Sequence, residues 1–382
     1  MKFFHTADWH LGKLVQGIYM TEEQRHVLQQ FIEAVKEEKP DVVVIAGDLY
    51  DRAVPPTDAV NLLDDVLKEI VVDLETPVIA VAGNHDSPSR LDFGSELMRK
   101  NGYYIEGRIK RPIKPIVLKD AHGEVHFHLV PYADPSICRQ IYEDDTIVDF
   151  TTAMQRVIGE MTFDQDARHV FVGHAFVTPH GEEEENTSDS ERPLAIGGAE
   201  YVSAHLFKPF HYTALGHLHQ AHYVLNEQIR YAGSPMKYSI SEEHHKKGFY
   251  IVEMDADGKV SVEKRELYPL HDMRTVEGHM EEILTLPPSD DFVFVKLRDE
   301  SPVLFPMEKV KSIFPNAMHI ERKLMRTTAA TLQQHERGIQ EKPNDQTLFR
   351  YFYTQMNDVE PDEETERIFA EVLQEVKGGN DV

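Results

Sequence analysis

Residues 42–51 read VVVIAGDLYD, and residues 77–86 repeat the arrangement as PVIAVAGNHD. In each, a β-branched apolar run ends at a glycine, and acidic, amide or imidazole side chains come next. The runs read as strands, Val42–Ala46 and Val78–Ala82. Working outward, Phe3–Ala7, Val170–Val172 and Tyr212–Leu215 have the same texture. Helical patterns lie between them. TEEQ, with Thr21 as N-cap and Gln24 three residues on, has the spacing of a capping box, and Thr57 opens a second helix through DAVNLLDDVLKEIV. Strands alternating with helices predict an α/β layered fold with a largely parallel sheet. PIVLKD and EVHFHLV, around Ala121-His122-Gly123, add a hairpin.

The residues directly after each strand carry the chemical signal. The first strand ends in Asp8 and His10, the second in Asp48, the third in Asn84, His85 and Asp86. The fourth delivers His174, and the fifth His217 and His219. Functional crevices of open α/β sheets lie beyond the carboxyl ends of the strands, so these side chains are expected at one edge. Gly47, Gly83, Gly173 and Gly216 precede them and permit sharp turns. In extended chain Asp8 and His10, two residues apart, face the same side, with Trp9 turned into the core.

Buried polar groups gathered in this way need a compensating charge. Imidazole and oxygen ligands without thiolate suit Mn²⁺, Fe²⁺ or Zn²⁺. The set is too large for one such ion and sufficient for two with a shared carboxylate. One allocation gives the first ion Asp8, His10, Asp48 and His219, and the second Asp48, Asn84, His174 and His217. Asp48 bridges. Two ions roughly 3.5–4 Å apart bind a phosphate ester and activate a water for in-line attack. His85 is left to protonate the leaving oxygen or stabilise charge, with Asp86 to orient it. Asp51 and Arg52 read as braces of the loop, outside the site. His126 and His128 read as a half-exposed strand face, and His244-His245-Lys246-Lys247 as a solvated turn.

The 382 residues suggest more than one domain, and a single cysteine, Cys138, allows no internal disulfide. No apolar run reaches signal-peptide or membrane-spanning length, which reads as cytoplasmic. Net charge is −26, from 66 acidic against 40 basic residues. That balance argues against a nucleic-acid binder held by bulk electrostatics, since such affinity comes from Lys and Arg on phosphates. Local basic clusters exist at Arg99, Lys100, Arg108, Lys110, Arg111 and Lys114, and at Arg322, Lys323 and Arg326. Acidic runs at 182–191 and 357–366 read as solvated. From residue 269 the texture becomes that of a small α+β domain, 269–326, with a helix pattern over Val276–Leu286. A polar linker over 327–343 comes next, then two amphipathic helices over 344–382. Their stripes hold Leu348, Phe349, Phe352 and Met356, then Ile368, Phe369, Val372, Leu373 and Val376.

DWH, GDLYD, GNHD, GH and GHLH, in this order, resemble the motifs of the calcineurin-like metallophosphoesterases. The longer stretches FFHTADWHLGK, VVIAGDLYDRAVPP, IGGAEYVSAHLFKPFHYTALGHLH and YAGSPMKYSISE are similar to the SbcD-type nuclease subunits within that group. The resemblance implies a layered metallophosphoesterase sandwich over 1–268, a capping domain that steers DNA over 269–326, and a helix pair that binds an SbcC-like SMC ATPase. It implies a homodimer within a heterotetramer. It also implies a Mn²⁺-dependent DNA hydrolase acting in replication, recombination and repair, a 3′-to-5′ exonuclease on duplex ends and an endonuclease on hairpins. The family's ligands carry over onto Asp8, His10, Asp48, Asn84, His174, His217 and His219, and its catalytic histidine onto His85. Asp51 departs from the pattern, since some relatives have histidine there. Two alternatives remain: a phosphatase or nucleotide phosphodiesterase acting on a small substrate, and a metal-free binding scaffold.

Overall fold

The computed structural model describes residues 1–181, 201–299, 301–322, 345–357 and 359–378. The chain divides into two compact units, Met1–Met273 and Arg274–Val382.

The first unit holds two six-stranded sheets. One runs, in spatial order, Val260–Glu266, Gly248–Met254, Lys2–Thr6, Val42–Ile45, Val78–Val81 and Tyr103–Glu106. Its last four strands are mutually parallel, and the Gly248–Met254 hairpin partner joins antiparallel. The other runs His222–Val224, Asn226–Tyr231, Tyr212–Gly216, Arg168–His174, Gly123–Val130 and Ile116–Asp120. Here too the centre is parallel and the edges antiparallel, with the expected hairpin pairing Ile116 to Phe127 and Asp120 to Gly123.

One core joins the two sheets. Phe3, Val42, Val44, Ile79 and Val81 from the first pack with Phe127, Val170, Val172 and Tyr212 from the second. Phe3 meets the edges of Phe127 and Tyr212 at 5.9 and 5.4 Å. Alternation sends Phe4 the other way, against Phe31 of the helix Thr21–Glu38, where Trp9 also packs. The helices Pro135–Tyr142 and Phe150–Gly159 cover the outer face of the second sheet through Cys138, Tyr142, Phe150, Met154 and Val157.

The largely parallel arrangement is present at the centre of each of two mixed sheets, with the strands that carry candidate ligands split three and two between them. The α/β layering stands. His126 and His128 are buried, not half exposed: their strand has the sheet core on one face, and Phe163 and Phe210 close over His128 on the other.

In the second unit, Met273–Gly278, Phe292–Leu297 and His319–Arg322 form a three-stranded sheet, the last two parallel. The helix expected over Val276–Leu286 is a strand as far as Gly278 and a helix only over Met280–Ile283. Val276, Met280 and Ile283 do share one core, so the helical spacing was real. Strand pairing with Phe292–Leu297 captures its first third.

The linker at 327–343 and the basic residues Lys323 and Arg326 lie outside the described residues, as does the acidic run 182–191. Beyond them, the helices Asp345–Asn357 and Glu363–Gly378 pack through Phe349 stacked on Phe369 at 3.9 Å, flanked by an Arg350–Glu366 ion pair. Leu348, Phe352, Ile368 and Val372 stay at least half exposed. The side chains of Met356 and Val376 lie outside the described residues. Among the described residues no helix is long and apolar enough to cross a membrane.

Candidate metal centre

The carboxyl ends of both sheets bring the candidate ligands together. Asp8, His10, Asp48, His174, His217 and His219 are all buried to 4 % exposure or less. Asp8, His10 and His219 form one convergent triplet, Asp8, Asp48 and His174 a second, and His10, Asp51 and His85 a third. Asp48 Oδ2 lies 3.6 Å from His10 Nε2 and 3.4 Å from His174 Nε2, between the first two groups. Asn84 joins the second through its Oδ1, 2.9 Å from His174 Nε2. His217 stands beside His174, ring centroids 5.4 Å apart, outside all three triplets. Its backbone N–H donates to both Asp8 oxygens.

The backbone achieves this differently from the sequence expectation. Asp8 and His10 do not lie on extended chain: both have left-handed φ, 54° and 44°, as does Asp48 at 49°. For residues with a Cβ that conformation is strained and is tolerated where surrounding contacts over-determine it. Of the glycines, Gly47 has φ +94°, and a Cβ there would sit 2.3 Å from His174 Nδ1. Gly83 is needed for close approach instead of a turn, since a Cβ would lie 2.1 Å from Asp48 Oδ1.

Three side chains hold these loops. Asp86 was expected to orient His85; instead its carboxylate accepts from Leu49, Tyr50 and Gly83 N–H, tying the Asp48 loop to the Asn84 loop. His85 is oriented by Asp51, whose carbonyl oxygen accepts from Nδ1 at 2.8 Å. The Asp51 carboxylate pairs with Lys13 at 2.8 Å and lies 3.8 Å from His10 Nδ1, so Asp51 belongs to the site after all. Gln24 is no capping-box partner: Met20 holds the N-cap position, without a side-chain cap bond. Gln24 is buried, accepts from Gly12 N–H and donates to the carbonyls of Trp9 and His10.

The donor set fits a cation. His174 donates Nδ1–H to the Ala46 carbonyl at 3.0 Å, so a neutral ring turns its Nε2 lone pair on Asn84 Oδ1 and Asp48 Oδ2. His219 donates Nδ1–H to Glu242 at 3.0 Å, so its Nε2 lone pair faces His10 Nε2, also 3.0 Å away. A neutral His10 can donate Nε2–H to that lone pair, but at His174 acceptor faces acceptor in a buried space, which is unfavourable unless a positive charge lies between them. Without one, a proton takes its place. Burial works to lower the pKa of His174, but Asp48 and Asp8 overcome this and raise it to about 9. Burial drives His10 and His217 well below the usual histidine value, which keeps them neutral and able to coordinate.

Two charged stretches singled out in the sequence are engaged in the structure. Glu106 pairs with Arg99 at 2.6 Å and Lys110 at 2.5 Å, and Arg111 pairs with Glu160 at 3.0 Å. Arg108 reaches Ser89 and Asp92. Much of this basic cluster is already neutralised. And the turn at 244–247 is not wholly solvated, for Lys247 is buried against Glu242.

Comparison with known proteins agrees with this geometry. The calcineurin-like phosphoesterase family matches residues 1–221, and the type 5 capsule protein repressor C-terminal domain matches residues 269–357. The SbcD subunit of the nuclease SbcCD from Staphylococcus epidermidis is 33 % identical over 94 % of this chain and 94 % of its own.

The chain belongs to the SbcD family of calcineurin-like phosphoesterases.

The SbcD subunit from Staphylococcus saprophyticus is 35 % identical over 92 % of both chains. Membership makes the protein a nuclease, a divalent-metal-dependent phosphodiester hydrolase.

Proposed function

We propose that this chain is the nuclease subunit of an SbcCD-like complex, cleaving DNA with two ions, physiologically Mn²⁺. The observation that carries the reading is Asp48 Oδ2 set between His10 and His174 Nε2, the place of a bridging carboxylate. Asp8, His10, Asp48 and His219 would hold one ion, and Asp48, Asn84, His174 and His217 the other. Bound there, the ions supply charge for the scissile phosphate and lower the pKa of a water.

The protein's own contribution is orientation and proton delivery. Water adds to phosphorus, the P–O bond to the leaving sugar oxygen breaks, and that oxygen takes a proton. His85, in its imidazolium form, supplies it from Nε2–H while its Nδ1–H is held by the Asp51 carbonyl, and the proton lost by the attacking water passes to solvent. At 7 % exposure His85 is less enclosed than any of the proposed ligand histidines.

The substrates are duplex ends, cut 3′ to 5′, and hairpins, opened endonucleolytically, in replication, recombination and repair. The protein works in the cytoplasm as a homodimer within a heterotetramer. With charge −26 and a largely paired basic cluster, an SbcC-like SMC ATPase supplies most phosphate contacts. That ATPase docks on the apolar stripe of Leu348, Phe352, Ile368 and Val372, while 269–326 steers the DNA. Assaying the chain with Mn²⁺ on duplex DNA, hairpin DNA, a synthetic phosphodiester and a phosphomonoester tests the reading; preference for the monoester would overturn it. Truncation after residue 338 should preserve cleavage of the small diester and abolish binding to the ATPase.

A further inference from the structure

The two lone-pair donors at the centre of the site are held by different partners. His174 leans on a neutral backbone carbonyl, that of Ala46. His219 leans on a carboxylate, Glu242, which is fully buried. A buried carboxylate is unfavourable without a counter-charge, and Lys247 provides one, its Nζ 2.5 Å from Glu242 Oε2.

The lysine grips more than the carboxylate. Nζ also donates to the His219 carbonyl and to Ser234 Oγ, both at 2.8 Å. Lys247 thus clasps the backbone of the very residue whose ring its partner orients. Glu242 Oε2 further accepts from Tyr238 N–H at 3.3 Å, anchoring the carboxylate from its own side. The clasp is charge-neutral as a pair, so it orients the ring without adding net charge to the metal site.

We propose that Glu242, locked by Lys247, is a positioning residue that fixes His219 as an Nε2 ligand. It thereby strengthens the metal position built on Asp8, His10 and His219 over the one built on His174. This rests on the two-ion reading above. A carboxylate accepting from a ligand imidazole fixes its tautomer and raises the basicity of the coordinating nitrogen, and losing such a partner commonly weakens metal binding 10–100-fold. The carbonyl behind His174 fixes the tautomer without the charge. The two positions should therefore differ in affinity, with the His219 side the tighter.

The test is Mn²⁺ titration of the full chain, monitored by calorimetry and by electron paramagnetic resonance of free Mn²⁺. Wild type should bind two ions in distinguishable steps. Glu242→Gln keeps the volume and an acceptor oxygen but loses the charge. It should weaken the tighter step about 10–100-fold and leave the weaker step within about twofold, while the metal-free thermal midpoint falls because Lys247 is left buried without its counter-charge. Lys247→Met should weaken the same step. A purely structural clasp would lower the metal-free midpoint and leave both steps as in wild type, which overturns the proposal. A measurement that needs no Glu242 variant is ¹⁵N NMR of the imidazoles in metal-free wild type, with His219 assigned by its loss in His219→Gln. The expected state is protonated Nδ1 and unprotonated Nε2; the opposite tautomer overturns the proposal even if the variants fail to fold. Failure of the underlying reading looks different: wild type would bind fewer than two ions, or His219→Gln would keep both steps.

Discussion

The strand Arg168–His174 carries a histidine cluster at each end, and the two are built on opposite principles. At its start, His169 Nε2–H donates to the Asp164 carbonyl, which leaves His169 Nδ1 to accept from His128 Nε2 at 3.0 Å. His211 Nδ1 accepts from the His169 backbone, and His126 pairs with Glu124. Protons and lone pairs alternate, among the rings of Phe163 and Phe210. At its finish, His174 turns an unprotonated Nε2 on the oxygens of Asn84 and Asp48. The first cluster is a neutral network in which only His128 Nδ1 among its buried nitrogens is left without a partner; the second sets acceptors against one another, as a site for positive charge requires. Among the described residues, none of the metal-competent groups includes His126, His128, His169 or His211. Histidine density does not make a metal site. Uncompensated convergence of lone pairs and carboxylates does.

The largest expected effect falls on the shared carboxylate. Asp48→Asn should reduce Mn²⁺-dependent hydrolysis of a small phosphodiester to background and lower the metal content, since both positions lose a charged ligand; His128→Gln should match wild type in both assays. Full activity in the Asp48 variant would erase the distinction between the clusters. His85→Ala should keep both ions and DNA affinity while kcat falls on the order of 10²–10⁴-fold. Metal loss in that variant would make His85 a ligand.

Gln24→Met should come next. It leaves the Gly12 N–H and the Trp9 and His10 carbonyls without their side-chain partner, and denaturant unfolding should show a loss of about 1–3 kcal/mol. The effect in the neutral cluster is confined to acid pH. Burial, and after it His169, lowers the pKa of His128 to about 3, from an unfolded value near 6.5. Below that value the unfolded state binds more protons, so this contribution to stability is complete above pH 6.5 and is lost as pH falls towards 3. In His128→Gln the slope of unfolding free energy between those limits should flatten by about 1.4 kcal/mol per pH unit. An unchanged slope would show that His128 is not buried neutral.

The sequence made the centre of the site readable because each polar cluster there comes directly after an apolar run, and strand ends share an edge. It could not assign strands to sheets, because the same run of valines serves either. Nor could it show what holds the ligands. Gln24 fits a capping box and Lys247 fits a solvated turn until the chain brings Tyr238, Glu242 and His219 beside them. Asp86 sits next to His85 in sequence yet serves the backbone of Leu49 and Tyr50. Bracing residues act through partners remote in sequence, and local spacing carries no record of them.

The most direct test is anomalous diffraction at the manganese edge from crystals of the full chain grown with Mn²⁺. Two peaks are expected roughly 3.5–4 Å apart, flanking Asp48 Oδ2, with none among His126, His128, His169 and His211. A single peak, or a peak in that second cluster, would contradict this expectation.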